Sequence, residues 1–172
     1  PWEKDTIVNV YSTTKTMTAL TALWLADKGK LDFDAPVAEY WPEFAANGKA
    51  GIKVSHLMSH SAGLAGWTAP MDKHDLYNWD KATSLLAAQA PLWEPGTQHG
   101  YHALTYGWLV GEVVRRISGK SLGQFFADEV AYSTPVVAKR NGTGRARMNA
   151  ELVLNTHRLH IVALAEGAIP VN

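Results

Sequence analysis

The stretch Val10-Tyr11-Ser12-Thr13-Thr14-Lys15-Thr16-Met17-Thr18-Ala19-Leu20 decides how this chain is read. It sets a hydroxyl and an amine three residues apart at the start of a helix, and positions i and i+3 share one helical face. Ser12 is therefore expected beside Lys15. A serine hydroxyl barely ionises at neutral pH. It becomes a nucleophile only next to a base, and a lysine serves as one only when burial or another cation lowers its pKa. The residues that follow suit that task. Met17, Leu20, Leu23 and Trp24 recur at helical spacing, and Ala19, Ala22, Leu25 and Ala26 fill most remaining faces. A helix apolar nearly all round is usually buried. This one is expected to hold Ser12 rigidly, to wrap Lys15 in low-dielectric material and to stop at Gly29. The bare pattern S-x-x-K is weak, because about one chance match is expected in a chain of this size. The rest of the sequence has to carry the argument.

The chain has 172 residues, enough for one domain with a core; 47% are apolar, 19% are charged and the formal net charge is zero. That balance gives no electrostatic case for nucleic acid or an anionic membrane. No cysteine is present, which excludes disulfides, thiol catalysis and cysteine-ligated metals. The compartment stays open, with the cytoplasm marginally favoured. No apolar run is long enough to span a bilayer. The start at Pro1 lacks a methionine and a signal-peptide pattern, so residues are expected to be missing before it.

Ile7, Val8, Val10 and Tyr11 read as an extended lead-in to the first helix. Asp34 is a candidate N-cap and Pro36 a first-turn residue for a short helix through Tyr40, with Pro42 ending it. Residues 47–51 read as a turn and Ile52-Lys53-Val54 as extended. Ser55 is a candidate cap for one helical turn, 56–60. Residues 64–78 form an aromatic-rich loop in which Trp67, Tyr77 and Trp79 line a cleft or pack on the core, with the core favoured. Asn78 or Asp80 opens a helix that ends near Gln89, and Pro95-Gly96 marks a turn. A second strong helix is expected over 103–118, with Leu104, Trp108, Gly111, Val114 and Ile117 as its stripe and Gly119 as its stop. Ser121 and Gln124 fit a capping box for a helix to about Val130. From Tyr132 the composition shifts. Residues 139–147 hold four positive charges and no acid; this reads as a solvated loop, with an anion-binding patch as the alternative. Residues 149–166 are expected to form one more helix.

Several motifs fail on inspection. His56 and His60 are spaced for one metal ion, but position 57 is leucine where H-E-x-x-H needs glutamate, and no third ligand stands out. Hydrogen-bonded structural histidines are expected there, and likewise at His157 and His160. Ser59-His60-Ser61-Ala62-Gly63 approaches G-x-S-x-G but lacks its first glycine, so Ser61 ranks below Ser12. Gly119-Lys120-Ser121 lacks the leading glycine of a phosphate loop. No metal and no cofactor is expected. Tyr101 differs: it follows a Pro-Gly turn and precedes a helix, which lets its phenol reach a cleft. A nearby Lys15 charge would lower its pKa.

Taken jointly, these pieces resemble the serine β-lactamase-like superfamily, and most of all the family VIII carboxylesterases, esterases related to class C β-lactamases. The resemblance rests on Tyr11-Ser12-Thr13-Thr14-Lys15, the run from Gly29 to Pro36, the run from Leu57 to Leu64, Pro95-Gly96-Thr97-Gln98-His99-Gly100-Tyr101 and the helix from Tyr106 to Val114. Their order and gaps match over about residues 5–131. S-x-x-K also marks class A β-lactamases and penicillin-binding proteins.

The resemblance implies an α/β (α+β) serine β-lactamase-like fold. The segment present would be mostly its α-helical part, over 1–131, with the central sheet largely missing and a divergent tail at 132–172. It implies a serine hydrolase that cleaves carboxylic esters through an acyl-serine. Ser12 would be the nucleophile, with Lys15 and Tyr101 handling the proton. The Ser12 backbone N–H would be half of an oxyanion hole. Trp67, His102 and Ala103 would contact a small ester or β-lactam substrate. The lactamase and peptidase branches usually carry Tyr-x-Asn; Ala103 in the third position favours simple esters. The family's third motif, on a C-terminal strand, finds no match after residue 131. The tail is expected to be unrelated, with a frameshift one possible origin. A β-lactamase or D-alanyl-D-alanine peptidase is the alternative enzyme, and a non-catalytic or truncated fragment the alternative outside catalysis. Oligomeric state is left open.

Overall fold

Helix α5, Thr105–Ser118, is the element around which the others pack. It is approached by α1 (Thr13–Asp27), α2 (Val37–Tyr40), α3 (Val54–Met58), α4 (Trp79–Ala88) and α6 (Leu122–Phe125). The computed structural model describes residues 10–130 in full and, beyond them, the backbone of residue 131 and of five short strands. From Thr105 to Val114 every residue of α5 except Gly107 is buried. Leu109, Val110, Val113 and Val114 thus leave water completely or nearly so. Each such side chain contributes about 1.5–3 kcal/mol. Gly111 is required by its neighbour: a Cβ there would lie 2.8 Å from the Trp79 ring. That ring stacks on Trp108 at 6.3 Å, and Trp67 meets Trp108 edge-on at 5.3 Å. Leu104 does not belong to the buried stripe, because it precedes the first turn of α5 and is exposed.

One carboxylate sits inside this apolar shell. Glu112 is 1% exposed. It accepts from Trp79 Nε1 at 2.7 Å, from Arg115 Nε and a second Arg115 nitrogen at 2.8 Å, and from Arg116 Nε at 2.8 Å. Burial alone would push its pKa up. The donors from Arg115, Arg116 and Trp79 outweigh that and hold it below the usual carboxylate range.

Helix α1 is not buried all round. Leu20 is 41% and Leu23 52% exposed, while Thr14, Thr18, Thr21, Ala22 and Leu25 face inward. The threonines can do this because Thr18 and Thr21 donate back to the carbonyls of Thr14 and Met17, at 3.3 and 2.9 Å, which leaves their methyls free to pack. Lys15 is consequently half-buried rather than wrapped in apolar material. Trp24, on a third side of α1, packs edge-on against Phe125 at 5.4 Å.

Most helix ends match their expected signals, and the exceptions have local causes. Asn78 caps α4 by accepting from Lys81 N at 3.0 Å. Ser121 and Gln124 form the reciprocal box that starts α6, which continues as a π-helical turn, Phe126–Ala131. Asp34 does not cap α2; its own N–H is taken by Asp32 Oδ1 at 2.8 Å, and Pro36 stands at the cap. Pro42 opens a 3-10 turn, Pro42–Ala45, because proline suits a first helical turn. Helix α3 starts two residues early, at Val54, so Ser55 lies within it.

The other end of α4 is held by the 46–49 turn. Asn47 donates to Ala88 O at 2.5 Å, and the fully buried Lys49 amine donates to Ala46 O at 2.6 Å and to Gln89 O. The Gln89 side chain then donates to Gly66 O and accepts from Thr68 N, fixing the loop that follows α3.

The strands are β1 (Val137–Lys139), β2 (Arg145–Glu151), β3 (Leu154–Asn155), β4 (Arg158–Leu159) and β5 (Val162–Ala165). They form an antiparallel sheet in the order β1-β2-β5 and a separate β3-β4 pair. The helix expected over 149–166 is replaced by these strands. Arg145-Ala146-Arg147-Met148-Asn149-Ala150-Glu151 alternates polar and apolar residues with period two, which is a strand pattern. Residues 137–139 and 145–147 lie in strands rather than in a solvated loop. The intervening residues, His157, His160 and the lead-in residues 7 and 8, lie outside the described ones.

Candidate active site

Residue 11 shows why Ser12 stands where it does. Tyr11 has φ +44°, in the left-handed region, and Ser12 returns to helical values at φ −69° and ψ −10°. A non-glycine residue in that region stores of order 1–3 kcal/mol and persists only when its surroundings impose it. The reversal turns the chain sharply into α1 and leaves the Ser12 side chain exposed at the helix start. Lys15, one turn on, places Nζ 3.4 Å from Ser12 Oγ, as the i, i+3 spacing requires.

The third group arrives from 89 residues away: Tyr101 Oη lies 2.6 Å from Ser12 Oγ. Lys15 Nζ donates to Ala103 O at 2.8 Å and lies 4.9 Å from the centre of the Tyr101 ring. Hydrogen bonding to Ser12, then the hydrogen bond and positive charge from Lys15, hold the Tyr101 phenol below the usual tyrosine range. Tyr106 is the contrast. Its half-buried hydroxyl donates to Met58 Sδ at 3.8 Å, and burial pushes its pKa up to about 12. Two tyrosines five residues apart are thus driven in opposite directions, and of the two Tyr101 gives up its proton more readily.

The loop that presents Tyr101 is laid on the turn after α3. Gly96 N donates to Ser61 O at 2.9 Å, Leu92 N to Gly63 O at 2.7 Å and Gly100 N to His60 O at 3.0 Å. The Trp93 ring lies directly on Gly100, where any Cβ would collide with it. Thr105 Oγ1 closes the far side by donating to Leu64 O at 2.6 Å.

The remaining candidates differ in how they are placed. His102 is 0% exposed. Its Nδ1 donates to Gly100 O at 2.6 Å and its Nε2 accepts from Leu64 N at 3.1 Å, so the neutral Nδ1–H form is fixed. Burial first, then the neighbouring His60, lower its pKa against the opposing bond to Gly100. It braces the loop from behind. Trp67 donates Nε1 to Ala82 O at 2.8 Å and, half-buried, packs against the core on Trp108. Ala103 does meet Lys15, through its backbone oxygen. Ser61 is buried and bonded to Ser59 Oγ at 2.9 Å. His56 Nδ1 accepts from Lys53 N at 3.3 Å. Two residues were not singled out for this site: Trp93 and His60. Their roles are not legible locally, since Trp93 acts on a residue 7 positions away and His60 on one 42 positions away.

The model of the Beta-lactamase family matches residues 1–133 of the 172, and the chain belongs to that family. Among its relatives is the esterase/β-lactamase LipL of Mycobacterium tuberculosis, 44% identical over 131 residues, which span 76% of this chain and 30% of LipL. The solved structure of a family VIII carboxylesterase is similar at 52% identity and a TM-score of 0.75, over 79% of this chain and 37% of that one. A penicillin-binding protein homologue from Caulobacter crescentus is similar at 40% identity and a TM-score of 0.74, over 77% of this chain and 36% of that one. The fold is therefore β-lactamase-like. The chain spans about a third of the length of these relatives.

Proposed function

We propose that this chain carries the acylating centre of a serine hydrolase that cleaves carboxylic esters. The observation that carries the reading is the approach of Tyr101 Oη to within 2.6 Å of Ser12 Oγ with Lys15 Nζ at 3.4 Å. Ser12 Oγ attacks the ester carbonyl as its proton passes to the Tyr101 phenolate, whose charge Lys15 offsets. The carbonyl oxygen becomes an oxyanion beside the backbone N–H of Ser12 at the start of α1. Collapse breaks the bond to the alcohol oxygen, which takes the proton back from Tyr101. Water then attacks the acyl-serine by the same proton route and releases the acid, regenerating Ser12.

Ester is favoured over β-lactam by Ala103, which offers Lys15 a carbonyl but no side-chain amide to a substrate. The test is turnover of a short-chain nitrophenyl ester against that of a chromogenic cephalosporin. Ester hydrolysis that disappears in Ser12→Ala supports the reading. Faster cephalosporin hydrolysis would make it a β-lactamase, and a folded chain inert to both would make it a scaffold fragment.

A further inference from the structure

His60 grips Tyr101 from both sides. Its backbone oxygen accepts from the N–H of Gly100 at 3.0 Å, and its ring Nδ1 accepts from the N–H of His102 at 3.2 Å. The same ring meets the Tyr101 ring edge-on at 5.0 Å. To do this His60 holds φ +61°, a left-handed conformation that a non-glycine residue adopts only when its surroundings impose it. No other described residue accepts from the backbone N–H groups of both neighbours of Tyr101, Gly100 and His102. An acceptor role for Nδ1 puts the proton on Nε2. A second proton would set an N–H against the His102 N–H, turning an attraction into a clash of two donors.

We propose that His60 is the positioning residue for Tyr101 and acts only as the neutral Nε2–H tautomer, so that taking up a proton releases the phenol from Ser12. The groups facing its ring are Lys15 from α1, His99 and Tyr101 from the presenting loop, and His102 and Tyr106 at the start of α5. Burial, then the charge of Lys15, then His99 keep His60 below the usual histidine range, so the grip is set at neutral pH and lost on acidification below that range. The effect on rate rests on the reading of Ser12 as a nucleophile; the grip on residues 100 and 102 does not.

The test follows the His60 ring, the His102 amide and the Tyr101 ring by NMR from about pH 8 to about pH 5. Labelling of Ser12 by a fluorophosphonate is timed over the same series. His60→Asn is the informative variant: Oδ1 takes the place of Nδ1 as acceptor, asparagine tolerates a left-handed backbone, and it does not titrate. In the wild type the His102 amide and the Tyr101 ring are expected to shift with the His60 midpoint. Labelling should fall about tenfold per pH unit below it, as the neutral fraction does. His60→Asn should leave the His102 amide flat and remove that acid limb. His60→Leu should label on the order of tenfold more slowly near neutrality, with asparagine recovering most of the loss.

If His60 titrates while the His102 amide and Tyr101 ring stay still, or if His60→Asn keeps the wild-type acid limb, the proposal is overturned. Should His60→Leu not fold, the comparison of wild type with His60→Asn still decides. If Ser12 is never labelled but the His102 amide follows His60, the hydrolase reading falls and the positioning role stands.

Discussion

Replacing Tyr101 by Phe removes one oxygen and little else. The ring remains, 55% exposed, and Lys15 keeps its bond to Ala103 O. Ser12 Oγ loses its 2.6 Å partner and retains only Lys15 Nζ at 3.4 Å, too long for efficient proton transfer. A positioned acid–base group contributes about a hundredfold to ten-thousandfold in rate. Fluorophosphonate labelling of Ser12 in Tyr101→Phe is therefore expected to slow by about a hundredfold or more. Folding should hardly notice, because an exposed substitution costs within about 0.5 kcal/mol, a Tm change of about 2 °C or less. The pH profile adds a second check. The phenol is held below the usual tyrosine range, so a wild-type alkaline midpoint should appear below about pH 10 and vanish in the variant. Labelling within about threefold of wild type, at unchanged Tm, would refute the assignment of Tyr101 as the proton-handling group.

Glu112→Gln leaves the Arg115 and Arg116 guanidiniums without their buried carboxylate, and thermal unfolding is expected to show a loss of about 3 kcal/mol, or roughly 10 °C in Tm. Lys49→Met strips the donor from Ala46 O and Gln89 O at the end of α4; a loss of about 1–3 kcal/mol is expected in urea titration, with no change meaning that water replaces the amine. Acid should destabilise the protein in two stages. His56, His60 and His102 all have lowered pKa values, so the unfolded chain binds protons first and stability falls as the pH drops below about 6.5. Glu112, also lowered, contributes stability that is lost at still lower pH, as its carboxylate is protonated in the folded state. A Tm that stays flat between about pH 7.5 and about pH 5 would contradict the histidine stage.

What the sequence made legible was local. The i, i+3 spacing of Ser12 and Lys15, the Asn78 cap and the Ser121–Gln124 box each follow from residues within one turn. The approach of Tyr101 could be inferred only from family resemblance, because it depends on how two loops lie on one another. Apolar counting misjudged α1. It treated threonine as polar, yet Thr18 and Thr21 satisfy their hydroxyls within the helix and bury their methyls, while Leu20 and Leu23 are exposed. His102 was no easier to place from sequence. A histidine next to a candidate site residue reads as a ligand contact, but this one is fully buried and both ring nitrogens bond to backbone. His60 reads from sequence as a hydrogen-bonded structural histidine, but spacing cannot reveal that its acceptor is spent on a backbone N–H 42 positions away.

The most direct test of the central claim is chemical. The folded chain is incubated with a nitrophenyl ester, quenched in acid, digested and mapped by mass spectrometry. The account predicts an acyl group on the peptide that carries Ser12, at that residue, and none in Ser12→Ala. An acyl group on Ser61 instead, or none at all on protein shown to be folded, would contradict it.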